Sequence, residues 1–164
     1  MNTGQMILTI GGLMLLSTII LRLNTTHINS ATAMYNSKFD NMAVPLANSY
    51  IELIKRKAFD HNSFEAAVNS TAKLSTVLGK EPGETRSTFN DVDDFNNDSL
   101  YQSIDLDDST DIYKLKCKVQ YYDAAAGKVS STPKFHKKIT VTVTNEFMTD
   151  SLTLSTIFSY WKFR

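Results

Sequence analysis

The hydrophobic pattern divides the chain into stretches of different period. From Gln5 to Leu21 there is no charged residue and no polar face: Gln-Met-Ile-Leu-Thr-Ile-Gly-Gly-Leu-Met-Leu-Leu-Ser-Thr-Ile-Ile-Leu. Beyond Asn24, apolar residues recur at steps of three and four, through Ile28, Ala31, Met34/Tyr35, Phe39, Met42, Leu46, Tyr50, Leu53/Ile54 and Lys57/Ala58, which is the helical period. The last third alternates with period two, the signature of half-buried strands.

No convincing turn signal interrupts the helical pattern before Asp60-His-Asn-Ser. Residues 1–59 therefore read as one long N-terminal helix, with 5–23 as its membrane or filament-core part and 24–59 as an amphipathic continuation. At 1.5 Å per residue the uncharged run spans about 25 Å and the whole helix about 75–80 Å. The run lies at the short end for crossing a bilayer, and the Arg22 side chain can snorkel to extend it to Leu23. A signal peptide would show basic residues before the run and a small-residue cleavage site after it. Neither is seen. A core helix apolar on every face would have to be surrounded by its own protein, which a domain this small could hardly do, so membrane insertion is the expectation. Pro45 predicts a kink that frees a carbonyl near Asn41. Gly11-Gly12 and Ser17-Thr18 allow helix backbones to approach closely in apolar surroundings, although glycine is also ordinary in membrane helices.

Residues 60–164 read as a globular head. A weaker helical pattern (Phe64, Ala67, Val68, Ala72, Leu74, Val77, Leu78) runs to the loop Gly79-Lys-Glu-Pro-Gly. Residues 89–111 read as an acidic, Asn-rich loop that includes Asp105, Asp107, Asp108 and Asp111. Strands follow at Tyr113–Tyr122 and Lys138–Asn145, where Ile139, Val141 and Val143 share one face. Asp123-Ala-Ala-Ala-Gly-Lys turns the chain into a polar arm around Val129, and a closing strand at 151–163 carries Leu152, Leu154, Ile157, Phe158, Tyr160, Trp161 and Phe163. The predicted architecture is α+β: a long N-terminal helix packed by its upper half on the dry face of a C-terminal antiparallel sheet.

Charge adds little pull toward partners. Lys and Arg number 17 against 17 Asp and Glu, which gives no global attraction to nucleic acid. The single cysteine, Cys117, is in phase with Tyr113, Leu115, Val119 and Tyr121 and reads as a buried strand residue. His27, His61 and His136 are scattered, and no nucleophile elbow, phosphate loop or His-Glu-x-x-His motif is present, so the chain is read as no enzyme. The one candidate for bound chemistry is the acidic loop. Asp91, Asp93, Asp94, Asn96, Asn97 and Asp98 supply hard oxygens suited to calcium, without EF-hand spacing; Asx turns are the competing explanation.

The layout resembles type IV pilins and the pseudopilins of type II secretion. The local resemblance is to minor pilins of the mannose-sensitive haemagglutinin type, carried by three blocks. These are Thr88-Phe-Asn-Asp-Val-Asp-Asp-Phe-Asn, Lys137-Lys-Ile-Thr-Val-Thr-Val and Asp150-Ser-Leu-Thr-Leu-Ser-Thr-Ile-Phe-Ser-Tyr. In that family an acidic loop precedes a K-x-I-x-V-x-V strand and a closing strand. The family also has a basic leader cut after Gly and a Glu at mature position five. Here Gly4 precedes Gln5 behind an uncharged Met-Asn-Thr; if Met1 is kept, Gln5 stands where the family has Glu. A glutamine can hydrogen-bond a neighbour's N-terminus but cannot form the ion pair.

The resemblance implies a subunit that waits in the inner membrane, is extracted by a pilus assembly machinery, and polymerises with identical subunits into an extracellular filament. Gln5, Met6, Ile10, Gly11, Gly12, Leu13, Leu16, Ile20, Met34 and Phe39 are the expected helix-packing positions. The alternative is a membrane-tethered periplasmic binding module that never polymerises, or a minor pilin or pseudopilin of a secretion or adhesion system. The apolar stripe between Asn24 and Tyr50 favours assembly, because a tether needs no such stripe.

Overall fold

The computed structural model describes residues 2–106 and 109–160; the expectations at Asp107, Asp108, Trp161 and Phe163 lie outside the described residues. The fold is α+β, as the periodicities predict. Helix α1 runs from Thr3 to Lys55, through Pro45, and ends a few residues before the Asp60 turn signal. It belongs to two compact units, one ending at Lys38 and the other beginning at Phe39.

In the second unit α1 buries Phe39, Ala43, Ala47, Tyr50, Ile51 and Ile54. Steps of three and four place these on one face. The wholly buried alanines, Ala43 and Ala47, bring helix and sheet close together. Opposite them lie Tyr113, Leu115, Cys117 and Val119 of β2 (Ser109–Asp123) and Ile139, Val141 and Val143 of β4 (His136–Asn145). The sheet is an antiparallel meander in the order β1 (Ser99–Leu106), β2, β4, β5 (Leu152–Ser159), and the two-residue β3 (Lys128–Val129) pairs with the end of β2. Pairing of Cys117 with Val141 and of Val141 with Leu154 sets the inward phase across three strands. Cys117 is fully buried, which pushes its thiol up to about 12.

Two local expectations need correction. Residues 99–106 form a strand, not part of the acidic loop. Leu100 and Ile104 alternate inward against the core, and the flanking aspartates mask that short period-two signal. Residues 60–88 do not form a helix beyond α2 (His61–Glu65) and a single 3-10 turn at Thr71–Lys73. Their backbone groups go to side chains instead. Val68 N–H donates to the Tyr160 hydroxyl (2.9 Å), Ser75 N–H to Asp60, and the Leu78 carbonyl accepts from Asn96 Nδ2 (2.9 Å). Tertiary partners thus override a weak helical propensity.

Candidate functional site

Three features of the described residues carry chemistry. The first is the surface of α1 in the first unit. An 18-residue window reaches a mean hydropathy of 2.1 with none of it buried, so this helix is long and apolar enough to span a membrane. Gln5, Met6, Ile10, Gly11, Gly12, Leu13, Leu16, Ile20 and Met34 are all exposed. Phe39 is different. It is buried and stacked on Phe147 at 5.3 Å, so its ring is committed to the head's own core and not to a neighbouring helix.

The second feature is a buried lysine. Lys137 lies two residues before Ile139 on β4 and therefore points inward, where it is wholly buried. Its ammonium donates to Asp93 Oδ1 (2.7 Å), to Asp60 Oδ2 (3.1 Å) and to the carbonyl of Phe59 (2.6 Å), beneath the Phe59 ring. Three acceptors satisfy its three N–H groups. Asp60 also accepts from Tyr121 OH, from Ser75 and from Asn62 N–H, which caps α2. Burial alone would raise the Asp60 carboxyl; the Lys137 charge and the Ser75 bonds outweigh it and hold the group below its ordinary value. Sequence reasoning passed over this centre. Its signal was the period: Lys137 shares the apolar phase of Ile139, Val141 and Val143, and a lysine there requires carboxylates.

The third feature is the acidic segment, which the structure divides. Asp93 is engaged by Lys137, and Asp98 by Arg86 and Tyr50. Asn96 bridges Val119 N–H (3.0 Å) and the Leu78 carbonyl. Asn97 adopts a left-handed backbone (φ 63°), and its N–H donates to the Cys117 carbonyl. These residues pin the loop to β2 and do not form a common cage. Asp91 and Asp94 do converge on other acids. A carboxylate oxygen from each of Glu81, Glu84 and Asp94 lies within 4.8 Å of the other two, and the same holds for ligand atoms of His61, Glu81 and Asp91.

Asx-type bonds shape this corner. Asp91 Oδ1 accepts from Asp93 and Asp94 N–H, and Asp94 Oδ2 accepts from Asn90 and Asp91 N–H. The other oxygens are left over. Asp91 Oδ2, Asp94 Oδ1, Glu81 Oε2 and Asn90 Oδ1 are buried without a hydrogen-bond partner among the described residues. Burial, then the neighbouring Asp93, pushes Asp91 up to about 9. Burial, then the Glu84 carboxyl, pushes Glu81 up to about 7. Glu81 and Glu84 were absent from the sequence-based set, because nothing local links them to Asp91 and Asp94 across an irregular segment.

No protein-family model matches the chain, and comparison with curated proteins and with solved structures found no match.

Proposed function

We propose that the chain is a structural subunit of an extracellular, type IV pilus-like helical filament, held in the inner membrane before assembly and polymerising through its apolar N-terminal helix. The observation that carries this reading is the exposure of that helix on every side from Met6 to Leu23, with further exposed apolar residues at Ile28 and Met34. Lipid can cover the first stretch. Ile28, Met34 and Tyr35 lie outside the uncharged run, where identical helices are the natural cover. On extraction, apolar surface exchanges lipid for protein, so close packing at Gly11-Gly12 and Ser17-Thr18 and hydrogen bonds such as those of Gln5 decide the association. A heterologous contact that does not close gives an open helical filament.

Immuno-electron microscopy of sheared cell-surface material, with antibody to the head, tests the proposal. Label along thin filaments supports it, and label confined to tips assigns a minor subunit. Label that stays with membranes overturns it. Met34→Glu is expected to abolish filaments while leaving the protein in the membrane; unchanged filaments would contradict the packing scheme.

A further inference from the structure

The acidic corner beside Asp94 contains more carboxylate than the protein neutralises. Glu81, Glu84, Asp91 and Asp94 meet there. Among the described residues, the ion pairs supply no lysine or arginine to any of them, and the only basic group within 4 Å is the imidazole of His61, 3.5 Å from Glu81. Lys137 acts on Asp91 only at a distance, because its three donors are taken by Asp60, Asp93 and the Phe59 carbonyl. A solvated acidic loop would need no explanation. Here Asp91 is 0% exposed and Asp94 2%, and each keeps one oxygen unpartnered.

We infer that Glu81, Glu84 and Asp94 bind a single hard divalent cation, calcium, and that it ties the 81–84 loop to the turn before β1. Three carboxylate oxygens mutually within 4.8 Å lie close enough for small side-chain rotations to bring all of them to one ion at calcium–oxygen distances of about 2.4 Å. The geometry of Asp94 supports this use. Its Oδ2 is held by the N–H groups of Asn90 and Asp91, which fixes the carboxylate and leaves Oδ1 as the oxygen with open lone pairs. Asn90 is clamped between the same ligands: its N–H donates to Asp94, and its Nδ2 donates to Glu84 Oε1 at 3.1 Å. Its own side-chain carbonyl oxygen is buried without a hydrogen-bond partner among the described residues. The donors are oxygens, and this selects a hard ion over zinc or copper. Such an ion closes a loop between segments that the sequence keeps ten residues apart. It would stabilise the head as any ligand that binds only the folded state does. The inference stands whether or not the chain polymerises.

The test uses the full chain in detergent, stripped with EDTA, then titrated with calcium chloride by calorimetry and followed by thermal unfolding. One calcium per chain is expected, with Tm rising by on the order of 5 °C at tenfold excess over Kd. Glu81→Gln combined with Glu84→Gln removes two ligands and also relieves carboxylate repulsion. The doubly substituted chain is expected to lose the calcium response while being, without calcium, at least as stable as the parent. That combination separates a binding site from a merely structural cluster. No response in the parent up to about 5 mM, beyond the weak end of extracellular calcium modules, overturns the inference. So does an equal response in the parent and the substituted chain, or an equal response to magnesium.

Discussion

The two units of this protein depart from ordinary burial in opposite directions. In the first, apolar side chains such as Leu8 and Met14 face outward along a whole helix. In the second, Lys137, Asp60, Asp91, Asp93 and Asp94 are buried. Each departure creates a requirement. Exposed apolar surface requires an outside cover, which a bilayer or neighbouring helices supply. Buried polar groups require internal partners; Lys137 has one for each N–H, whereas the acidic corner leaves one oxygen each of Asp91 and Asp94 without any. The comparison teaches that the covering of the apolar helix and the stability of the head rest on different physics and can be broken separately.

The largest expected effect is on the first unit. Leu13→Asp with Ile20→Asp places two charges in the uncharged run. At roughly 2.5–3.5 kcal/mol each, the pair should abolish insertion, read as loss of the chain from carbonate-washed membranes. The head of that variant should still unfold cooperatively, and loss of its folding would merge the two regions that the comparison separates.

A smaller but still large effect is expected in the second unit. Lys137→Met leaves Asp60 and Asp93 as uncompensated buried charges and should destabilise the head by about 3–5 kcal/mol in denaturant titration. Adding Asp60→Asn and Asp93→Asn should recover part of that loss, because both charges are then gone. Membrane insertion should be unchanged throughout.

The smallest effect is on pH dependence. The folded-state value of Asp60 lies below its ordinary one, so its contribution is fully present above about pH 4 and is lost as the pH falls through the depressed value. Lys137, Asp93 and Tyr121 are the charged or titratable groups facing it. Acid unfolding should therefore steepen below about pH 4 in the parent, and Lys137→Met should lose that component. A parent curve that keeps its shape in the variant would show that the pair contributes nothing to acid stability.

Much of the fold was legible from period alone. A helix apolar on all sides and strands with alternating faces announce themselves locally, which is why α1, β2, β4 and β5 were found near their observed bounds. The strand β1 was not, because its alternation is short and its neighbours are acidic. The helix expected over residues 60–88 failed for a different reason. Its backbone groups are claimed by the side chains of Tyr160, Asp60 and Asn96, each 15 or more residues from the group it binds.

By itself, then, the sequence determined the class, the inward phase of β2 and β4 and the uncovered apolar helix, since all three are set by spacing between near neighbours. Only the tertiary structure decided which partner each side chain of the acidic segment meets. Asp93, Asn96 and Asp98 were drawn to Lys137, to β2 and to Arg86, while Asp91 and Asp94 were packed against Glu81 and Glu84. Charge interactions act through space over a few ångströms, and no periodicity along the chain encodes which distant segments come that close.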